Sequence, residues 1–227
     1  MNILEQAIGW LAPPVCIGCE LEGETLCLAC REAEILPYGE RCAFCSKISL
    51  ESKTCPKCRR GGSPKHIFVS TDYLGLGKEL LKAYKFGHQR SGAKQIAEIM
   101  AETSEHFIQD GDSYVVVPVP PATSRARQRG FDHTLFLARH IAACLKQPLC
   151  PAMGRLGQSR QVGARRSERQ KQLSGAYFVR QPEQIRGKNI LIVDDVITTG
   201  ATLREVYKTL RGAGAKQVDA LVFAKKL

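Results

Sequence analysis

The sequence predicts an α/β protein in which a mostly parallel sheet is flanked by helices and preceded by a small cysteine-rich module. Four Cys-x-x-Cys pairs lie before residue 61, and strand-like and helix-like segments alternate after residue 66. Between the two patterns lies Gly61-Gly62-Ser63-Pro64, which has the composition of a linker. We therefore predict two domains, residues 1–61 and residues 66–227.

The second domain contains the alternating elements of such a fold. Its apolar runs predict strands over residues 67–73, 114–119, 189–193 and 218–223. Its periodic segments predict helices over residues 77–86, 92–107, 132–145 and 202–211. The third helix has Asp132 as a predicted N-cap, whereas residues 156–176 are polar and basic and predict a mobile loop. Because helices connect the strands, the sheet should be mostly parallel.

Composition excludes several classes of protein. The chain is 44% hydrophobic and 24% charged, which supports a sizeable core and excludes global disorder. No run of 18 apolar residues occurs, so a membrane-spanning helix is excluded. The first 14 residues lack a basic leader and a small-residue cleavage site. We therefore expect a cytoplasmic protein, and peripheral contact with the inner membrane is left open.

Positive charge is concentrated in one part of the chain. Lys and Arg together number 33 against 22 Asp and Glu, a net charge of +11. Residues 118–171 contain 11 basic and 2 acidic side chains and so contribute +9 of that excess. Such a stretch attracts polyanions, among which nucleic acid, pyrophosphate and phosphosugars are the candidates. The alternative is an ordinary solvated surface.

The cysteine spacing predicts two structural zinc sites. Two thiolates in a Cys-x-x-Cys turn bind one tetrahedral ion, and two such turns complete a site. Disulfides suit a secreted chain and are disfavoured here. Pairing could be sequential or interleaved, and the short loops of seven and nine residues favour sequential sites. The eight predicted ligands are Cys16, Cys19, Cys27, Cys30, Cys42, Cys45, Cys55 and Cys58.

A candidate ligand site lies within residues 190–202, which read ILIVDDVITTGAT. A buried strand is predicted to end at two carboxylates, Asp194 and Asp195, and a turn of small and hydroxyl residues leads into a helix. Backbone N–H groups at a helix N-terminus suit a phosphate, and Gly200 would let the backbone approach its oxygens. The two carboxylates can accept hydrogen bonds from a sugar diol, directly or through Mg²⁺. Together these features predict a ribose 5-phosphate binder.

This segment closely resembles the phosphoribosyl-pyrophosphate (PRPP) motif of type I phosphoribosyltransferases. The resemblance implies a type I phosphoribosyltransferase-like fold after a double zinc-ribbon module, with PRPP bound together with Mg²⁺. It implies that Asp194 and Asp195 hold the ribose hydroxyls and are the catalytic carboxylates. The residues implied to surround the 5-phosphate are Thr198, Thr199, Gly200, Ala201 and Thr202.

A second segment, VVVPVPPATSRARQRGFDH over residues 115–133, extends the resemblance. Together with the cysteine pairs and the PRPP motif, it is similar to the ComF family, which includes competence proteins and GntX-like proteins. Asp132 and His133 stand where that family more often has Asn-Gln, and we interpret His133 as a structural histidine. The cations predicted to bind pyrophosphate or DNA are Lys85, Arg125, Arg127, Arg129 and Arg169.

Two functions from different classes follow from these observations. The ComF resemblance implies a PRPP-binding protein that handles incoming single-stranded DNA during natural transformation, with proteins of a DNA-uptake machinery as partners. The alternative is a phosphoribosyltransferase that transfers ribose 5-phosphate from PRPP to a small nucleobase-like acceptor. The sequence shows no pocket for a specific acceptor, so the enzyme question stays open.

Overall fold

A parallel sheet of four strands forms the centre of the molecule. The computed structural model describes residues 13–86, 92–105, 108, 113–121, 132–156 and 175–226. Its strands are β1 (Ile67–Asp72), β2 (Tyr114–Pro118), β3 (Met153–Arg155), β4 (Tyr177–Val179), β5 (Asn189–Ile197) and β6 (Gln217–Lys225). The sheet has the order β1-β6-β5-β2 with every pair parallel, and β3 and β4 form a separate antiparallel pair.

Helices cover both faces of this sheet. They are α1 (Leu28–Glu34), α2 (Pro56–Arg59), α3 (Gly75–Phe86), α4 (Gly92–Glu105), α5 (His133–Cys144) and α6 (Ala201–Gly212), with 3₁₀ turns at Leu50–Ser52 and Pro182–Gln184. Side chains of α3, α4 and α5 share one core with Leu191 and Val193. Side chains of α6 share a second core with Ile190 and Ile192. Because neighbouring residues of a strand point to opposite faces, β5 contributes to both cores.

The predicted α/β class with a mostly parallel sheet is confirmed. The predicted N-cap is also confirmed, because the Asp132 carboxylate accepts a hydrogen bond of 2.9 Å from the Leu135 backbone N–H. Most predicted elements agree with the structure to within two residues. The exception is β5, which was predicted to end at residue 193 and continues to Ile197. The predicted loop over residues 156–176 lies mostly outside the described residues.

The cysteine-rich module packs directly on the sheet. It contributes Cys16 and Leu26 to the first core and Tyr38 to the second. The Arg41 guanidinium lies 2.7 Å from the carboxylate of Asp72 at the end of β1. The module and the sheet therefore share their hydrophobic cores, and the predicted domain boundary near residues 61–66 stays a prediction. Among the described helices, none combines the length and apolarity needed to cross a bilayer.

Candidate functional site

The candidate site lies at the carboxyl edge of the sheet, where β5, β6 and β2 end. β2 pairs with β5 up to Val193, and the Val119 backbone N–H continues the pairing with a 3.0 Å hydrogen bond to the Val193 carbonyl. The segment that follows β2 therefore begins beside Asp194, as the sequence predicted. Ligands of open α/β sheets bind in the crevice beyond the carboxyl ends of parallel strands.

Asp194 and Asp195 lie within β5 rather than after it. Strand pairing continues because β6 extends equally far, with Asp194 opposite Val222 and Ile197 opposite Lys225. In an extended strand, consecutive side chains point to opposite faces. The two carboxylates therefore occupy different environments, although they are neighbours in the chain.

Asp195 is a buried carboxylate with two cationic or proton-donating partners. Its Oδ2 atom lies 2.5 Å from the Nζ atom of Lys85 and 2.6 Å from the Nε2 atom of His133. Burial opposes its ionisation, but Lys85 and His133 outweigh that effect and hold the pKa of Asp195 below its usual range. Lys85, predicted as a pyrophosphate ligand, is therefore paired with a carboxylate in this structure.

Asp194 has the opposite electrostatic character. Its side chain is half-buried and accepts a 2.9 Å hydrogen bond from the backbone N–H of Asp195. Burial, followed by the negative charge of Asp195, raises the pKa of Asp194 to about 8. The pair therefore consists of one anionic and one mainly protonated carboxyl group at neutral pH. Such pairs, with their pKa values pushed apart, are common at functional sites.

His133 is the site residue that sequence reasoning missed. It begins α5, and its carbonyl accepts a 2.5 Å hydrogen bond from the hydroxyl of the buried Tyr84. This packing directs the imidazole toward Asp195, which lies 62 positions further along the chain. One feature of the sequence could have indicated this role: His133 lies in the segment after β2, and β2 ends at the same sheet edge as Asp195.

The predicted phosphate loop joins β5 to α6. Thr198 and Thr199 are exposed, Gly200 is buried, and Ala201 and Thr202 begin the helix. Gly200 is the N-cap with φ of 74° and has no side chain to offer, and the Ala201 backbone N–H in the first turn of α6 makes only a long contact, 3.4 Å, to the hydroxyl of Thr199. The backbone N–H groups of the first turn are therefore the donors that this loop offers to an anion.

Lys225 is a further unpredicted contributor to the site. It is 5% exposed at the end of β6, and its Nζ atom donates a 2.6 Å hydrogen bond to the carbonyl of Thr198. The bond fixes the start of the phosphate loop and places a cation beneath it. The remaining predicted cations lie outside the described residues; they are Arg125, Arg127, Arg129 and Arg169.

The eight predicted zinc ligands form two separate clusters with the sequential pairing. In each cluster the four sulfur atoms lie within 4.8 Å of one another. The sulfur atoms of Cys19 and Cys27 lie 3.7 Å apart, as do those of Cys45 and Cys55. Zinc–sulfur bonds of about 2.3 Å in a tetrahedron place the sulfurs about 3.8 Å apart. The thiols therefore have the number and spacing that a structural zinc ion requires.

The electrostatics of the first cluster also favour a cation. Burial opposes ionisation of Cys16, but backbone N–H groups, including those of Cys27 and Gly18 at 3.4 Å, lower its pKa to about 6. The hydrogen bond with Cys27 and burial raise the pKa of Cys30 to about 12. Four adjacent thiols thus resist complete ionisation, and a bound divalent cation reverses that resistance.

Comparison with known proteins agrees with this geometry. Residues 135–227, which contain β5, the phosphate loop, α6 and all but the first two residues of α5, match the model of the phosphoribosyl transferase domain. Among solved structures, the allosteric regulatory enzyme of purine biosynthesis has a TM-score of 0.43 and 18% identity, over 62% of this chain and 29% of that chain. The predicted type I phosphoribosyltransferase-like fold class, with a cysteine-rich module before it, is confirmed.

Relatives that match most of the chain, rather than one domain, indicate a narrower family. The chain is 28% identical over 200 residues to the competence protein ComFC of Bacillus subtilis, covering 84% of this chain and 80% of the relative. It is 29% identical over 190 residues to ComFC of Streptococcus pneumoniae, covering 79% and 78%. It is 24% identical over 220 residues to the DNA utilization protein YhgH of Escherichia coli, covering 86% and 96%. These relatives confirm the resemblance to the ComF family.

We predict two zinc ions per chain, measured by metal analysis of the purified protein. Cys45→Ser should lower the content to one, because it removes a ligand from the second cluster only. Cys144→Ser is the matched control, since Cys144 is an exposed thiol outside both clusters. One ion or none in the unmodified protein would contradict the two-site assignment.

We also predict that Asp194→Asn stabilises the ligand-free protein at high pH. An ordinary Asp has a pKa of about 4 when unfolded, so the raised pKa of Asp194 favours folding below about pH 4. This stabilisation is lost as pH rises through about 8, and asparagine, which mimics the protonated acid, does not lose it.

The variant should therefore gain about 2 kcal/mol over the unmodified protein at pH 9, a value reduced for partial solvent contact, and almost nothing at pH 4. Urea unfolding across this range measures the difference. The Asp195→Asn control should instead lose stability at neutral pH, because it leaves Lys85 without its anion. A pH-independent difference for Asp194→Asn would contradict the assignment.

Proposed function

We propose that the protein binds PRPP with Mg²⁺ at the carboxyl edge of its sheet and handles single-stranded DNA. The observation that carries the first part is that β5, which contains both acids, leads directly into the N-terminus of α6, where the N-cap Gly200 has no side chain. One sheet edge thereby offers acceptors for a sugar diol and donors for a phosphate. The phosphoribosyl transferase domain match covers this same segment.

The phosphate loop supports the 5-phosphate end of that ligand. The exposed hydroxyls of Thr198 and Thr199 and the backbone N–H groups at the start of α6 are hydrogen-bond donors. Lys225 adds a positive charge beneath the loop. A phosphate dianion bound there would gain both directed hydrogen bonds and a favourable potential.

The two carboxyl groups support recognition of the ribose. Asp194, mainly protonated at neutral pH, can donate a hydrogen bond to one hydroxyl and accept one through its other oxygen. Asp195 provides a fixed negative charge that Lys85 and His133 orient. Lys85 is also a described cation at this edge that a diphosphate could recruit. Charge-assisted pairing with that group would compete with its present contact to Asp195.

The DNA-handling part of the proposal is supported by a basic face on which the cysteine-rich module meets α6. Lys57, Arg59 and Arg60 are exposed around α2, and Lys208 is exposed on α6. Within the described ranges, none of these four cations forms an ion pair with an acid. The cations around α2 lie near Lys208 because Gly62, just after them in the chain, is close to the Lys208 side chain. A methyl group added at Gly62 would lie 3.4 Å from that side chain.

This basic face is suited to a flexible polyanion rather than to one small anion. Unpaired cations on adjacent elements follow a phosphate backbone, and partly exposed aromatic rings such as Tyr207 add stacking surfaces. The relatives named for competence and for DNA utilization support the same class of ligand. Contacts with a DNA-uptake machinery, and peripheral contact with the inner membrane, remain part of this proposal.

A second candidate function is transfer of ribose 5-phosphate to a small nucleobase-like acceptor, which the phosphoribosyl transferase domain match favours. In that case the carboxylates would stabilise the cationic sugar and cations would stabilise the departing diphosphate. Release of pyrophosphate that depends on one added base would distinguish transfer from binding alone.

We predict that PRPP with Mg²⁺ binds the unmodified protein and that the double variant Asp194→Asn, Asp195→Asn weakens binding at least 100-fold. The reason is loss of both diol acceptors on β5. Titration calorimetry measures the affinity, and circular dichroism checks the fold. Glu98→Gln on α4 is the control for loss of a surface carboxylate. An unchanged affinity in the double variant would defeat the site assignment.

We predict salt-sensitive binding of single-stranded DNA that depends on the basic face. Arg60→Gln with Lys208→Gln should reduce the slope of log affinity against log salt by about 1.4, since each phosphate contact contributes about 0.7. Fluorescence anisotropy at several salt concentrations measures the slope. The control, Lys82→Gln with Lys94→Gln, removes two exposed lysines that pair with acids of their own helices.

Equal slopes for the two double variants would remove the basic face from the DNA-binding surface. The triple variant Arg125→Gln, Arg127→Gln, Arg129→Gln then tests the other predicted stretch. A loss of salt dependence in that variant alone would move the DNA-binding surface to the segment after β2.

A further inference from the structure

The phosphate loop is in direct contact with the second cysteine cluster. Gly200 is buried, and a methyl group at this position would overlap ring atoms of Phe44. Phe44 lies between the ligands Cys42 and Cys45 of the Cys-x-x-Cys turn. Close approach to this ring, together with φ of 74°, is thus the reason that position 200 requires glycine, in addition to any approach of phosphate oxygens.

The Phe44 ring is held from a second direction by α6. The guanidinium carbon of Arg204 lies 4.0 Å from the ring centroid, which is a cation–π contact. The Arg204 Nη1 atom also donates a 3.4 Å hydrogen bond to the carbonyl of Gly62, which follows the last cysteine pair. Phe44 is therefore fixed between the turn that contains Cys42 and Cys45, the loop and the first turns of α6.

Among the described residues, no contact of this kind joins the first cysteine cluster to the loop. Its corresponding turn has Gly18 where the second turn has Phe44. A methyl group at Gly18 would lie 2.9 Å from Leu76, near the start of α3. The first cluster therefore packs against α3, and the second packs against the loop that precedes α6.

We propose that Phe44 is a positioning residue through which metal binding at the second cysteine cluster sets the conformation of the phosphate loop. A metal ion fixes the thiolates of Cys42 and Cys45, and those fix the ring between them. The ring and the Lys225 hydrogen bond then restrain the loop on two sides. A preorganised loop binds phosphate more tightly because less conformational entropy is lost on binding. This inference rests on the proposed function of the loop.

The first test compares two phenylalanines of similar surroundings. Phe44→Ala should weaken binding of PRPP with Mg²⁺ about tenfold while two zinc ions per chain are retained, and Phe44→Leu should have a smaller effect. Phe178→Ala is the matched control, because Phe178 also lies against a glycine, Gly154, and beneath an arginine, Arg180. Unchanged affinity of metal-loaded Phe44→Ala would overturn the proposal.

The second test reads the loop directly and needs no ligand. Cys45→Ser and Cys19→Ser remove ligands at the same place in the two clusters, and both residues are exposed. The Arg204 backbone N–H donates a 3.0 Å hydrogen bond to the carbonyl of Gly200, and its hydrogen exchange should become at least tenfold faster in Cys45→Ser and in Phe44→Ala but not in Cys19→Ser. Equal exchange in the two cysteine variants would overturn the coupling.

The two tests also separate this inference from the proposed function. Failure of the unmodified protein to bind PRPP would refute the proposed ligand, whereas the exchange comparison would still decide whether the second cluster restrains the loop. Binding of PRPP without a difference between Phe44→Ala and Phe178→Ala would refute the inference and leave the proposed function intact.

Discussion

The geometry of the candidate site depends on the parallel pairing of β5 with β2 and β6. β2 pairs with β5 only as far as Val193, but β6 pairs with β5 as far as Ile197. This longer pairing keeps the two acids in an extended conformation. Alternation along that extension points Asp194 and Asp195 to opposite faces. If the strand ended at residue 193, both carboxyl groups would lie in a turn and share the same solvent. The extra pairing is thus what gives two adjacent acids different partners and different pKa values.

This difference has a consequence for ligand binding. Removing one partner of a buried ion pair is costly, because the other charge is left without compensation. A diphosphate that recruits Lys85 would leave Asp195 with His133 alone. The imidazole lies 2.6 Å from the same carboxylate oxygen, so it would remain as a hydrogen-bond partner. Asp195 therefore keeps one polar contact when Lys85 moves.

Local signals in the sequence predicted much of this protein correctly. The cysteine spacing indicated both clusters and favoured their sequential pairing, and Asp132 indicated the start of α5. What it did not indicate were contacts between distant segments. Asp is a poor strand former, so the strand was predicted to end before Asp194, whereas pairing with β6 overrides that preference. The contact of His133 with Asp195 spans 62 positions, and no local pattern encodes it.

The contact between Phe44 and Gly200 also joins segments that are distant in the sequence. It connects the small cysteine-rich module to the sheet domain. A module of about 60 residues cannot bury enough apolar surface to fold on its core alone, so it requires metal ions or a neighbouring surface. This one has both sets of ligands and a place in both cores. Its first cluster packs against α3, the helix that carries Lys85, and its second packs against the loop before α6. The module therefore contacts both the helix that carries Lys85 and the loop before α6, and these two contacts are the structural basis of the proposed link between the module and the site.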